Sequence, residues 1–313
     1  MAIFEISILA RVTWNLHSLN NEGTVGNVTE PRTVVLASGE KTDGISGEMF
    51  KHIHAYNVWL LQEDKSQFCE ACLKLHPQRA DMNKLINRNN SPEEAMKTAI
   101  SSCILCDLHG FLVQRPPVAR PSTVEFGWML GLPEKTYRDI HIHARHSMVG
   151  RTREEIARKE SGEETQERQV TAQMIYHRPT RSGVYALVSA FQPWRIGLNE
   201  VDYTYVIDDT NRKNRYQLAI NAYKATFVRT EGAMTSTRLP HIEAIEGVVV
   251  KSESNFPVPV ISPVINTFVE DIENLIKCHK SLSYQKFINL KELCDNLTEL
   301  TNQEIYKLIM PKA

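Results

Sequence analysis

Four of the six cysteines in this 313-residue chain fall into two CxxC pairs: Cys69 and Cys72 in CEAC, Cys103 and Cys106 in CILC. A thiolate is a soft anionic ligand, and CxxC spacing lets two of them face one ion. Two such pairs supply the four-sulfur tetrahedron that zinc takes at bonds of about 2.3 Å. The spacer, residues 73–102, is longer than the about 15–20 residues of a common zinc ribbon. The segment the pairs would staple, 63–110, is polar and poor in apolar mass. His76 and His109 are alternative ligands, each a few residues from a pair. Without a metal, the same residues read as two separate pairs of buried thiols or as a redox CxxC. Four cysteines close the coordination shell, so zinc here would be structural and not catalytic. Cys278 and Cys294 lie on apolar helical stripes and read as core residues.

A second chemistry-bearing stretch runs from Asn20 to His54. Gly23, Gly26, Gly44 and Gly47 permit positive φ and close backbone approach. Ser46 is placed as an N-cap and Glu48 suits a first turn, with Met49, Ile53, Tyr56 and Leu60 following at helical spacing. A polar loop feeding a helix N-terminus, with Arg32, Lys51, His52 and His54 close in sequence, suits phosphate. An ordinary strand-to-helix connection reads the same way, and Walker spacing is absent. In DIHIHARH, Ile140, Ile142 and Ala144 alternate with His141, His143 and Arg145, which predicts a strand with one face in the core and one cationic. These histidines suggest acid–base chemistry, but no paired carboxylate or second base stands at a recognisable spacing.

The elements that must position these groups follow from periodicity. Phe4, Ile6, Ile8, Ala10, Val12 and Trp14 alternate with Glu5, Ser7, Arg11 and Thr13, a half-buried strand with a polar second face. Ser91-Pro92 opens a helix within the insertion. Residues 147–169 are dense in both charges and would project from the body as a helix, hairpin or loop. Pro179-Gly183 between two apolar runs reads as a hairpin turn. Tyr216, Ala219, Ile220, Tyr223 and Phe227 form the stripe of an amphipathic helix, and GVVVKS is a strand. From residue 263 the text reads as helical to the end, with Val264, Phe268, Ile272 and Leu275 on one stripe and Phe287, Leu290, Leu293, Leu297 and Leu300 on another.

With 42% hydrophobic residues the chain can bury a sizeable core. Lys plus Arg number 36 against 37 Asp plus Glu, so binding of polyanions by the whole surface is excluded, while a local basic groove is not. No signal peptide and no apolar run of membrane length is apparent, and the expectation is a soluble cytoplasmic protein.

LARVTWNLHSLNNEGTVGNVTEPRTVV followed by DGISGEMFKHIHAYNVWL resembles the start of the DevR-type Cas-seven family, the repeated backbone subunit of type I CRISPR effector complexes (Cascade). CDLHGFLV at 106–113, QMIYHRPTRSGVYAL at 173–187 and EGAMTSTRLPH at 231–241 fit the same pattern in order. The resemblance implies an α+β fold with a ferredoxin-like (RRM-like) antiparallel sheet core over 1–262. That core would carry a zinc-bearing insertion (63–110), a charged hairpin-like projection (147–170) and a C-terminal helical segment (263–313).

It also implies a non-catalytic scaffold that coats guide RNA (crRNA) through sugar-phosphate contacts and presents it to a target DNA strand. Its partners would be neighbouring copies in a helical filament and the other type I effector subunits, with no membrane. Carried onto this sequence, the RNA contacts fall on Asn20, Asn21, Gly26, Asn27, Thr29 and Arg32 of the first loop and Ser46, Gly47, Lys51 and His52 of the helix start. The remainder are His143, Arg145 and His146 of the strand, Gln173 beside the projection, and Gly232, Ser236 and Arg238 of the late loop. Type III relatives cut RNA with a first-loop aspartate. Here Asn27 or Thr29 stands near that position, so the rival reading is a metal-dependent ribonuclease using Glu30 or Asp43. A third is a zinc-stabilised regulator that binds DNA without guide RNA.

Overall fold

The computed structural model describes residues 2–146 and 173–310; the projection expected over 147–170 lies outside the described residues. Strand β1 (Glu5–His17) is followed by a hairpin of β2 (Asn21–Val25) and β3 (Val28–Pro31), and then by β4 (Thr33–Val35), β5 (Lys41–Ile45) and helix α1 (Gly47–Leu61). The insertion contributes α2 (Pro92–Ser102) and α3 (Ile104–His109). After β6 (Val124–Phe126) come the long strands β7 (Met129–His146) and β8 (Gln173–Phe191). The chain continues through α4 (Asp209–Val228), β9 (His241–Ser252), α5 (Phe268–Cys278), β10 (Leu282–Phe287) and α6 (Leu290–Thr301).

One ten-stranded sheet dominates, with the order β10-β9-β1-β8-β7-β5-β4; β3 and β6 also pair with β8, and β2 with β3. The four long strands, β9, β1, β8 and β7, are antiparallel neighbours. Helices α1 and α4 follow the first and third of these in chain order. The two helices lie together, Asn57 of α1 donating to Thr226 Oγ1 of α4 at 3.0 Å. Beneath them Trp14, Phe50, Tyr185, Tyr216 and Tyr223 are buried in one continuous core.

The half-buried reading of β1 is corrected. Leu9 packs with Val248, Val250, Phe268 and Ile272 on the face opposite the helices. Ser7 is buried there as well, and Glu5 is buried with its carboxylate accepting from Val258 N at 3.1 Å. Helix α5 covers what the polar alternation marked as an open face.

The helical reading beyond 263 is also corrected, because residues 282–287 form β10 and extend the sheet beside β9. Cys278 is exposed and Cys294 half-buried, so neither is a core residue. On α1 the buried stripe runs through Phe50, Ile53, His54, Asn57 and Val58, whereas Leu60 is exposed.

Residues 179–183 do not turn the chain. β8 runs unbroken through them, Pro179 pairing with Ile140, and Gly183 marks a bulge where the register slips against both neighbours. A Cβ on Gly183 would stand 2.6 Å from Lys135 O, so only glycine lets the bulged strands approach. Past the bulge, β7 and β8 continue as a two-stranded arm beyond the reach of β1 and β5. Ile140 and Ile142 are therefore 52% and 69% exposed and do not enter the core.

At the root of the arm lies a buried polar network. Arg181 Nη1 pairs with Asp43 at 3.1 Å, both side chains being fully buried. Tyr185 donates to Asp43 Oδ2 at 2.8 Å and stands 2.9 Å from His17 Nε2. Because the one phenolic hydrogen goes to the carboxylate, His17 Nε2–H donates to the phenol oxygen. Burial pushes the Asp43 carboxyl up against the pull of Arg181 and Tyr185, and burial with Arg181 nearby holds His17 well below its ordinary value, so His17 is neutral. Arg181 Nη2 also donates to Asn20 O at 2.6 Å, and Asn20 Oδ1 accepts from Ser46 N at 2.9 Å. The first loop, the start of α1 and the arm are thus tied at one point. Asp43→Ala leaves Arg181 buried and uncompensated and is expected to cost about 3–5 kcal/mol in urea unfolding. Tyr185→Phe, which removes one neutral donor, should cost about 1 kcal/mol.

Candidate nucleic-acid interface and metal centre

The two cysteine pairs occupy equivalent local positions. Cys69 precedes a single helical turn, Glu70–Leu73, and Cys103 is the N-cap of α3, its sulfur accepting from Cys106 N at 3.4 Å. Helix starts favour thiolates because their free N–H groups point at the sulfur. All four cysteines are buried, with their sulfurs within 4.8 Å of one another and those of Cys72 and Cys106 3.8 Å apart. A tetrahedron with bonds of about 2.3 Å has edges of about 3.8 Å, so the donor set fits a metal ion of zinc's size. The four thiols act on one another, their mutual contacts lowering Cys69 and raising Cys72 and Cys106. The histidine alternatives fall away: His76 is exposed, and His109 is committed to His54 at 3.0 Å. Among the described residues this is the one convergent group of three or more metal-ligating side chains.

On the arm a groove of about 640 Å³ forms between β7–β8 and the loop that precedes β9, lined by His141, His143, Tyr176, Arg178, Ser236 and Arg238 among others. His143 and Tyr176 are register partners and stack with centroids 5.4 Å apart and planes 9° from parallel. Arg178 lies over Tyr176 at 4.6 Å. Arg238 Nη2 is 2.7 Å from His143 Nε2, which must accept because guanidinium only donates. His143 is accordingly held below its ordinary pKa by desolvation and by Arg238 and Arg178. Arg238 is only 8% exposed, its Nε has no partner, and it forms no ion pair among the described residues. The carboxylate that enters this face is Asp139, 3.8 Å from His141.

Of the residues singled out in the sequence, the structure gathers His143, Ser236 and Arg238 in this groove. Gly232 seats the loop that carries two of them, since a Cβ there would meet Leu19 O at 2.5 Å. Gly26, at φ +61°, turns the β2–β3 hairpin, which joins β8 where Val28 pairs with His177; Asn27 is exposed and Thr29 half-buried on it. Arg32 pairs with Glu22 at 2.7 Å and lies 5.6 Å from the Trp128 ring. Arg145, His146 and Gln173 hold the far end of the described arm, with Arg145 opposite Met174 and His146 opposite Gln173.

Other positions do not converge. Ser46 and Gly47 are buried: Ser46 caps α1, and a Cβ on Gly47 would stand 2.0 Å from Phe126 O. Asn20 is spent on Ser46, and Asn21 Oδ1 accepts from Ser18 Oγ at 3.2 Å. Lys51 and His52 line a separate cavity, and His54 is fully buried, donating from Nε2 to Ala219 O at 3.0 Å. Tyr176 and Arg178 escaped the sequence reading, and His141 was placed on the cationic strand face but not among the RNA contacts; the alternation of Tyr176, Arg178 and Thr180 on one face of a strand was the available signal. Asp43 is shut away by Arg181 and Tyr185, whereas Glu30 is exposed on the hairpin.

The family model for the CRISPR-associated negative auto-regulator DevR/Csa2 matches residues 8–273. The chain belongs to this family. Two solved chains share its fold. One, titled "CRISPR RNA-guided surveillance complex, pre-nicking", matches at TM-score 0.53 and 10% identity over 88% of each chain. The other, titled "CRISPR RNA-guided surveillance complex", matches at TM-score 0.50 and 10% identity over 95% of this chain and 98% of its own. No curated protein matches significantly. The chain is thus a mixed α/β member of a CRISPR-associated family, and no helix among the described residues is long and apolar enough to cross a membrane.

The Arg238–His143 contact yields a direct check. Arg238→Gln should move the His143 titration upward toward its ordinary value, as followed by the imidazole Cε1–H resonance against pH. An unmoved titration would mean that Arg238 does not press on the ring.

Proposed function

We propose that this chain is a non-catalytic backbone subunit of a type I CRISPR surveillance complex. It coats the spacer part of guide RNA through sugar-phosphate contacts and presents it to a target DNA strand. The observation that carries this reading is Arg238, a nearly buried guanidinium with no counter-charge among the described residues, beside a second arginine and a stacked His143–Tyr176 pair. A buried cation is costly until an anion arrives, and cation next to flat rings is the chemistry that holds a phosphate and stacks a base without reading it. Sequence tolerance is what a spacer-coating subunit needs. The exposed Gly26–Asn27 turn joining β8 supports an interface that extends along the arm.

The β1-α1-β7-β8-α4-β9 connectivity with sheet order β9-β1-β8-β7 supports a ferredoxin-like core. A zinc ion held by Cys69, Cys72, Cys103 and Cys106 would supply the insertion with the crosslink that its small core cannot. Copies would assemble head-to-tail into a helical filament in the cytoplasm with the other effector subunits. The ribonuclease alternative loses Asp43 to the buried network and keeps Glu30.

Co-expression with the effector subunits and a repeat-spacer transcript, then purification in high salt, tests the scaffold reading. Guide RNA of defined length should remain in a large particle; a nucleic-acid-free monomer would overturn the reading. Arg238→Ala should weaken retention equally for unrelated spacers and lower the log–log salt slope by about one. If its effect depends on spacer sequence, the phosphate role is wrong. Metal analysis should find one zinc per chain, and Cys72→Ser should lose it and expose residues 63–110 to proteolysis. Regular cuts in target RNA with Mg²⁺, abolished by Glu30→Ala, would establish the enzyme instead.

A further inference from the structure

Of the histidines that line the groove, His143 is the one an arginine already uses. Arg238 Nη2 lies 2.7 Å from His143 Nε2. Guanidinium has no lone pair to offer, so Nε2 accepts and the ring is neutral, with its hydrogen on Nδ1. The charged and titratable groups that face it come from several elements. Strand β7 itself supplies His141, with Asp139 3.8 Å beyond that ring, and Arg145 follows two residues on. Its neighbour β8 supplies Arg178 and the Tyr176 ring, the loop before β9 supplies Arg238, and His241 lines the groove from the start of β9. Desolvation, then Arg238, Arg178 and His141, hold His143 below its ordinary value. The Asp139 side chain is 78% exposed and bears on His141, so water and salt screen it from His143.

In this arrangement a neutral imidazole stands where Arg238 would hold an anion. A phosphate oxygen is the stronger acceptor for guanidinium, because both partners are then charged. An oxygen that bonds Nη2 arrives close to Nε2 as well, since Nε2 lies 2.7 Å from the same nitrogen. A bare lone pair repels that oxygen. The phosphodiester of an RNA backbone carries its charge without a proton near neutral pH, so it brings no donor of its own. A proton on Nε2 turns the repulsion into a charge-assisted hydrogen bond. The ring is also placed to carry that charge. It stacks on Tyr176 with centroids 5.4 Å apart and planes 9° from parallel, so an imidazolium would lie over a π face.

We propose that RNA entering the groove exchanges the partner of Arg238 and protonates His143. The guanidinium moves its Nη2–H from His143 to a phosphate oxygen, and His143 Nε2 takes a proton from solvent hydronium and donates it to the same phosphate. The inference rests on the guide-RNA reading of the groove and adds to it a proton taken up at each subunit that engages the strand. The sign follows from linkage. The free ring titrates below its ordinary value and the bound phosphate raises it, so the complex holds more protons than its separate parts. Acid therefore favours binding. Affinity falls as pH rises from the titration of the free ring to the higher titration of the bound one, by about tenfold for each pH unit between them, and is flat above.

The test is calorimetric titration of the full-length chain with a short single-stranded RNA of mixed sequence. It is run at constant ionic strength near the ordinary histidine pKa of about 6.5, in two buffers of unlike ionisation enthalpy. The difference in heat should report a substantial fraction of a proton taken up per site. His143→Gln keeps an acceptor for Arg238 but cannot titrate; it should lose the uptake and flatten the pH profile of affinity, while His141→Gln keeps the uptake. The midpoint of the His143 Cε1–H resonance should move to higher pH when RNA is bound. Other histidines add charge in acid, so the difference between the natural chain and His143→Gln decides, not the slope of either. RNA binding that is lost in Arg238→Ala, yet shows no uptake or the same uptake in His143→Gln, would overturn the proposal and leave the RNA reading standing. Arg238 would then keep His143 and grip phosphate with its other N–H groups. Loss of uptake in His141→Gln alone would assign the proton to His141 and overturn it too. RNA that binds regardless of Arg238, or does not bind, would overturn the groove reading and this inference with it.

Discussion

The fully buried ion pair of Asp43 and Arg181 is the constraint on which the rest of the molecule hangs. Two charges removed from water hold a geometry only if their remaining valences are met, and here Tyr185, His17 and the Asn20 carbonyl meet most of them. Each of these groups comes from a different element. The pair therefore fixes where β8 leaves the sheet, where the first loop returns and where α1 starts. Its strength lies in specificity of arrangement, because an apolar cluster of the same size could slide while these hydrogen bonds cannot. The bulge at Gly183 lies two residues from Arg181, so the slip in register and the anchor occur together.

From that anchor the β7–β8 arm leaves the hydrophobic core. On the body, each strand has helices over it and its apolar residues are buried. On the arm, the loop before β9 packs along one face to form a cationic groove, and Ile140 and Ile142 stand exposed. Groups that would be too costly to bury deeply are held there by stacking and by Arg238 from a loop far along the chain. The insertion solves the opposite problem. Its Phe68, Met96, Ile100 and Leu105 are buried in the main core, and four cysteine sulfurs converge within it at the spacing of a metal site.

The sequence by itself determined strand β1, parts of β7 and β9, helix α1 with its Ser46 N-cap, the buried stripe of α4 and the two cysteine pairs, and a resemblance of ordered stretches pointed to the family. These are local facts: alternation, helical stripe, CxxC spacing and an N-cap serine act within a few residues of themselves. Tertiary structure alone decided which strand face is open. Glu5 and Ser7 alternate as a solvent face does, yet both are buried, Glu5 accepting from Val258 N more than 250 residues later, and Ile140 alternates as a core residue does but lies past the end of its neighbours. Pro179 and Gly183 spell a turn locally, but pairing with two flanking strands turned them into a bulge. Lys51, His52, His54 and His109 illustrate the same limit. Their types promised chemistry, and only the packing of α1 against α4 and the insertion sent His54 and His109 into the core while Lys51 and His52 stayed on a cavity wall.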